Sequence, residues 1–168
     1  MSERNPYSAP ASKVADPAPR PGSPYKAVGL GLLTDFGGTM VFSTILTFVY
    51  GVMLAGSGVA QEDLEAAIRN ASAGDTLYFW IGSIGGCGFS LLGGYVCARI
   101  ARQSEYTLGV ILAASVVVLG LLLFGDGGLD LGLSVVLNAA TVAAVIVGAW
   151  IGKKQNRRQR HEQAQQKA

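Results

Sequence analysis

A chain of 168 residues that is half apolar and only 14% charged carries too little charge for a soluble domain, where about a quarter of residues are charged. Its formal net charge of +2 hides a partition, because twelve of the thirteen Lys and Arg residues fall on one side of four long apolar runs. The only histidine, His161, lies near the end of the chain, and the two cysteines do not form a CxxC pair. Histidine-based catalysis, histidine-rich metal sites and dithiol chemistry are therefore excluded.

All six prolines lie within the first 24 residues. With Ser, Ala and scattered charges between them, residues 1–26 read as a disordered, Pro-rich leader, either solvated or a docking tail for a partner. Residues 27–33 are apolar but interrupted by glycine, and are placed at the headgroup level with Tyr25 and Lys26 as anchors. The first span follows over residues 36–55. Gly58-Val59-Ala60 ends in a small residue as a cleavage site would. The preceding apolar run, however, is longer than the 7–15 residues of a signal peptide, so an uncleaved span is expected.

Residues 61–69 read as a short amphipathic helix. Leu64 and Ile68 share one face, and Glu65 and Arg69 pair at i,i+4 for a few tenths of a kcal/mol. Asn70-Ala71-Ser72 fits a glycosylation sequon, which matters only in a eukaryotic secretory membrane. The second span covers residues 77–97 and opens with Tyr78 and Trp80 as interfacial anchors. Arg99 and Arg102 fill the next connector, flanked by Tyr95 and Tyr106. The third span covers residues 107–124. Gly125-Asp126-Gly127-Gly128 forms a tight turn, and Asp126 with Asp130 falls far short of a calcium ligand set. The fourth span covers residues 131–151 and closes with Trp150. Residues 153–168 form a basic tail of fraying helix suited to anionic lipid headgroups.

Each run is 18 to 21 residues long, close to the ~20 that cross a ~30 Å hydrocarbon core as helix. A cytoplasmic excess of Lys and Arg sets orientation. The first outer loop holds Glu62, Asp63, Glu65 and Asp75 with Arg69 as its one cation, whereas the ends and the middle connector are basic. The expected fold is an all-α membrane protein, an antiparallel four-helix transmembrane bundle over residues 27–152. Both termini are expected in the cytoplasm. A nucleic-acid partner is not expected from the tail, which lacks interleaved aromatics.

Small residues recur every four positions: Thr39, Ser43, Thr47, Gly51 and Ala55 in the first span; Gly82, Gly86, Ser90, Gly94 and Ala98 in the second; Ala140, Ala144, Gly148 and Gly152 in the fourth. Such rows let helix backbones approach closely. A four-residue row drifts ~40° per step, so each should pass between two contacts, within the bundle or in a homo-oligomer. Cys87 and Cys97 are ten residues apart on one helix, ~15 Å, which excludes a bridge between them. Both thiols read as buried small hydrophobes, with acylation of Cys97, near the boundary, as the alternative.

Asp35 is the one acid that can lie inside the hydrocarbon, where acids are functional by default. A helix beginning near Phe36 makes Thr34 or Asp35 its cap. One beginning at Ala27 puts Asp35 ~12 Å inside, where Arg99, Arg102 or Lys153 can pair with it. Asn138 is the other buried polar candidate. It is placed at a different depth from Asp35, bonding across to a neighbouring helix.

Asn5-Pro6-Tyr7-Ser8-Ala9-Pro10, Leu33-Thr34-Asp35-Phe36-Gly37-Gly38 and Gly93-Gly94-Tyr95-Val96-Cys97-Ala98-Arg99-Ile100-Ala101 resemble the leader and span signatures of uncharacterised small four-helix proteins of bacterial inner membranes. The resemblance implies that membrane and the four-span architecture. It places Asp35 and Arg99 within recurrent motifs as a candidate pair, and it carries no activity. The expected function is that of a non-enzymatic multi-pass inner-membrane protein acting through helix packing, as an oligomer or with a membrane partner, without cofactor or metal. The alternative is a small transporter or channel subunit that uses Asp35 as a proton or cation ligand.

Overall fold

The computed structural model describes residues 22–73, 76–102, 104–124 and 131–166. Nearly all of them are helical, no strand occurs among them, and four helices are long and apolar enough to cross a membrane. The first is built from α1 (Pro24–Leu32), a π-helical segment (Leu33–Gly37) and α2 (Gly38–Gly56) without a break. A short helix α3 (Leu64–Ala73) leads to α4 (Leu77–Ala101), then α5 (Glu105–Phe124) and α6 (Leu131–Gln166). Residues 1–21 of the expected leader, and the expected turn at 125–128 with Asp130, lie outside the described residues.

The first helix corrects the expected boundary. It starts at Pro24, where the missing N–H is one that a helix start leaves unused, and its 33 residues reach ~50 Å. Residues 27–33 are therefore part of the first helix and pack within the bundle. Ala27 is fully buried. A Cβ on Gly31 would stand 3.0 Å from Cys97 Cβ, the Gly93 carbonyl oxygen and Leu112 Cδ2. The glycine that reads as an interruption is what lets α1 come this close.

We call the end carrying Arg99, Arg102 and Lys153 the basic end, and the one carrying Glu62, Asp63 and Glu65 the acidic end. Packing is uneven between them. The core cluster of Ala27, Cys97, Ala101, Leu112, Ala113, Val116 and Val145 lies toward the basic end, whereas α2 has no buried residue. Backbones meet directly in the tight half. A Cβ on Gly94 would run into the Val145 backbone, and one on Gly148 into the Leu91 carbonyl. On Gly152 it would come within 2.9 Å of Ala98 Cβ. In a bilayer such apposition replaces the hydrophobic drive for helix association. Farther along, rings act as spacers: Phe89 lies over Gly38 and Phe42 over Gly85, with ring centroids 6.0 Å apart.

Contacts also run in register. Gly31 meets Gly93, Gly38 meets Phe89, Phe42 meets Gly85, and Thr47 Oγ1 hydrogen-bonds Tyr78 Oη at 2.7 Å. Partner numbers on α4 thus fall as numbers on the first helix rise. Against α6 they rise together, from Gly94 and Val145 to Ala98 and Gly152.

α6 does not fray beyond Ile151. It continues as helix to Gln166, and Asn156 is only 5% exposed. Asn156 Nδ2 donates to the Ala98 carbonyl at 2.9 Å, and its Oδ1 accepts from Arg99 Nη1 at 3.1 Å. Tyr95 Oη donates to Gln155 Oε1 at 2.7 Å, and Arg160 donates to the Arg102 carbonyl. Lys153 Nζ lies 3.8 Å from the centre of the Tyr106 ring. The start of the basic tail is thus a latch across the end of α4.

At the acidic end Thr76 caps α4, accepting from the Phe79 N–H at 3.2 Å and donating to the Ala71 carbonyl at 2.6 Å. α3 starts three residues later than the expected 61 and runs on to Ala73. Arg69 pairs with Glu65 at 2.6 Å on its exposed face, and Ile68 turns toward Gly51 of α2.

Candidate functional site

Asp35 is 3% exposed and lies in the π segment, eleven residues into a continuous helix rather than at its cap. π-turns are rare and recur at functional sites. Asp35 Oδ1 accepts from Ser90 Oγ on α4 at 2.9 Å. Its other oxygen, Oδ2, is buried without a hydrogen-bond partner among the described residues. Gly93 makes room for this acid, since a Cβ there would approach Asp35 Cβ to 2.9 Å.

Beside Asp35 opens a cavity of about 610 Å³. The first helix contributes Asp35, Phe36, Thr39, Met40, Ser43, Thr44 and Thr47 to its wall; α4 contributes Ser83, Gly86, Cys87 and Ser90. Val116, Val117 and Gly120 of α5 and Leu137, Asn138 and Thr141 of α6 close the far side. The space exists because α2 rests on α3 and α4 and makes little or no contact with α5 and α6.

The row Thr39, Ser43 and Thr47, which reads as a packing row, thus continues from Asp35 as one polar wall at four-residue spacing. The row on α4 changes role along its length. Gly82 touches Leu46 at ordinary distance, Gly86 has nothing within 4 Å of a built Cβ, Ser90 holds Asp35, and Gly94 packs on α6. Gly148 and Gly152 pack on α4. The rows of α4 and α6 are therefore used inside the bundle.

Asp35 and Arg99 are not brought together. Arg99 lies nine residues beyond Ser90, ~13 Å toward the basic end. Its guanidinium is engaged by Asn156 and by Gln159 Oε1 at 3.0 Å. Asp35 and Asn138, expected at separate depths, do not bond each other, although both line the cavity, which spans several turns. Asn138 Nδ2 bonds the Ser134 carbonyl of its own helix at 2.8 Å rather than a neighbouring helix. Cys97 is fully buried against Gly31, as a small hydrophobe rather than an acylation site. Cys87 lines the cavity, and both thiols are free.

The sequence missed the cavity and Asn156. The hydroxyl row running from Asp35, and the continuation of the row Gly148, Gly152 to position 156, are the signals that mark them. Compared with known proteins, the chain matches no family model, no curated protein and no solved structure.

Proposed function

We propose that the chain is a non-enzymatic multi-pass protein of a bacterial inner membrane that binds a cation or proton inside the bilayer at Asp35, as a small transporter or channel-type subunit does. One observation carries this reading: a buried carboxyl whose Oδ2 has no partner among the described residues borders a cavity with hydroxyl groups on its wall. A carboxyl in hydrocarbon is costly unless a proton, a cation or a donor completes it.

The test is thermal unfolding of the purified full chain titrated with lithium, sodium, potassium, ammonium and tetramethylammonium ions and with acid. A ligand at a hundredfold excess over its Kd stabilises by ~2.7 kcal/mol. At least one of these series should raise the midpoint of the parent, and Asp35→Asn should fold normally but lose the shift. Identical titrations of parent and variant would sink the reading.

The topology that goes with it is an antiparallel four-helix bundle with both termini in the cytoplasm. It is supported by the opposed numbering of contacts between the first helix and α4 and by the charge partition. Reporter fusions within residues 61–74 should give an external signal and fusions after residue 152 a cytoplasmic one; the reverse would overturn it.

The stand-off of α2 from α5 and α6 favours a second reading, in which a second copy or a membrane partner packs against α2 while anionic lipid surrounds the basic tail. Its exposed Met40, Ile45, Phe48 and Val52 are the contact residues on that reading. A particle of more than one chain in light scattering would support it.

A further inference from the structure

The size and walls of the cavity narrow the class of cation. A divalent inorganic ion of the calcium type takes six to eight oxygen ligands, and here a single carboxyl faces the space. Among the described residues no three His, Cys, Asp or Glu side chains are grouped so as to hold a metal ion. The volume of about 610 Å³ instead falls in the ~300–1,000 Å³ range of pockets that enclose an organic ligand. Its surface is mostly apolar, with Phe36 and Met40 beside the hydroxyl row and Val116, Val117 and Leu137 across from it, next to Asn138 and Thr141. One fixed charge at one end of an apolar chamber matches a ligand with one positive nitrogen and an apolar body.

A route to this chamber is offered at the acidic end. A second cavity of about 460 Å³ shares Ser43, Ser83 and Leu137 with the first and reaches Ser72, Tyr78 and Phe79 at the acidic end. Glu62 and Asp63, exposed just ahead of α3 at the same end, raise the local concentration of cations there. Phe36 lines the chamber and Tyr78 the second cavity, and aromatic rings attract ammonium groups. Toward the basic end the helices are pressed together at Gly31, Gly93, Gly94 and Val145.

We infer that the cavity binds a monovalent organic ammonium ion, admitted from the acidic end past Ser72 and Tyr78. Its nitrogen pairs with the Asp35 carboxyl and its apolar body lies against Phe36, Val116 and Leu137. This rests on the reading of Asp35 as a cation site and adds the chemical class of the cation and its path.

Cys87 serves as a built-in reporter. It lines the chamber three residues before Ser90, ~4.5 Å along α4, while Cys97 is fully buried as an internal control. The full chain in phosphatidylcholine nanodiscs is treated with 2-aminoethyl methanethiosulfonate or its neutral methyl analogue. Each forms a mixed disulfide with a thiol and releases methanesulfinate, and labelling of both cysteines is followed by peptide mass spectrometry. After normalisation to free cysteine, the ammonium reagent should label Cys87 about tenfold faster than the neutral one, a modest figure for opposite charges at this range. Cys97 should stay unlabelled. Asp35→Asn should remove the charge preference. Benzyltrimethylammonium should protect Cys87 about tenfold, whereas neopentylbenzene, its neutral isostere, and potassium ion at the same concentration should not.

Protection by potassium with none from benzyltrimethylammonium, the charge preference being kept, would overturn the organic class and leave the cation site standing. Equal protection by neopentylbenzene would overturn the role of charge in binding. The absence of both charge preference and protection in the parent would overturn the inference and the Asp35 reading together. The parent's arms decide these outcomes even if Asp35→Asn does not fold.

Discussion

Gly148→Ala should destabilise the bundle markedly, although it adds one methyl group. The Cβ would run into the Leu91 carbonyl oxygen and come within 2.9 Å of the Tyr95 amide nitrogen. Both are backbone atoms inside a helix, so neither can swing away as a side chain can. Relief requires α6 to move off α4, which breaks the contacts of Gly94 and Gly152 on the same seam. Overpacking of this kind costs ~1–3 kcal/mol or more, a drop of roughly 10 °C in Tm for a chain of this size. Gly86→Ala provides the contrast, since nothing lies within 4 Å of its Cβ and alanine favours helix over glycine. Its Tm should stay level or rise. Thermal unfolding of the two variants in one detergent decides the matter, and equal stabilities would mean that α4 and α6 do not meet at this seam.

Asn156→Leu should be nearly as damaging. The side chain joins the Ala98 carbonyl to the Arg99 guanidinium, and leucine can replace neither bond. The Ala98 carbonyl keeps only the long bond from the Arg102 N–H at 3.4 Å, so losing the Asn156 donor costs ~1 kcal/mol, and the lost bond to a charged donor ~1.5–3 kcal/mol. Arg99 keeps Gln159, so about 3 kcal/mol in total is the expected loss. Asn156→Asp should fall between, because a carboxylate still accepts from Arg99 but sets an acceptor against the Ala98 carbonyl. Limited proteolysis should show the same order, with the leucine variant cut first beyond Lys153. A leucine variant as stable and as resistant as the parent would show that the tail is no part of the fold.

The four spans were legible because bilayer thickness acts on a sum: about twenty apolar residues announce a crossing whatever their neighbours do. The close seam of α4 and α6 was legible at Gly94, Gly148 and Gly152 because small residues have that one common use in lipid. The depth of Asp35 was not. Hydropathy marks where a helix is apolar rather than where it begins, and Pro24 as the first residue of a helix was the overlooked sign. The extent of α6 was hidden by composition. Its Gln, Lys and Arg residues are good helix formers that look like solvated tail until Asn156 is seen to face the end of α4. The cavity depends on how far α2 stands from α5 and α6, a property of pairs of helices that no single stretch of sequence encodes. Thr39, Ser43 and Thr47 read as packing residues for the same reason: small hydroxyl side chains serve a seam or a wet wall equally well.

The π segment also sets the phase of the first helix. A regular α-helix turns about 100° per residue, so a deletion within α2 would swing everything beyond it to another face. Leu33–Gly37 already holds a surplus of chain in one wide turn. Removing one residue there would let the helix close into ordinary α geometry, with Ala27 and Gly31 still facing α4 and α5 and Thr39, Ser43 and Thr47 still facing inward. The bundle would keep its form, and what it would lose is the bulge that carries the acid. In this chain a single codon separates a helix that only packs from one that carries a buried acid.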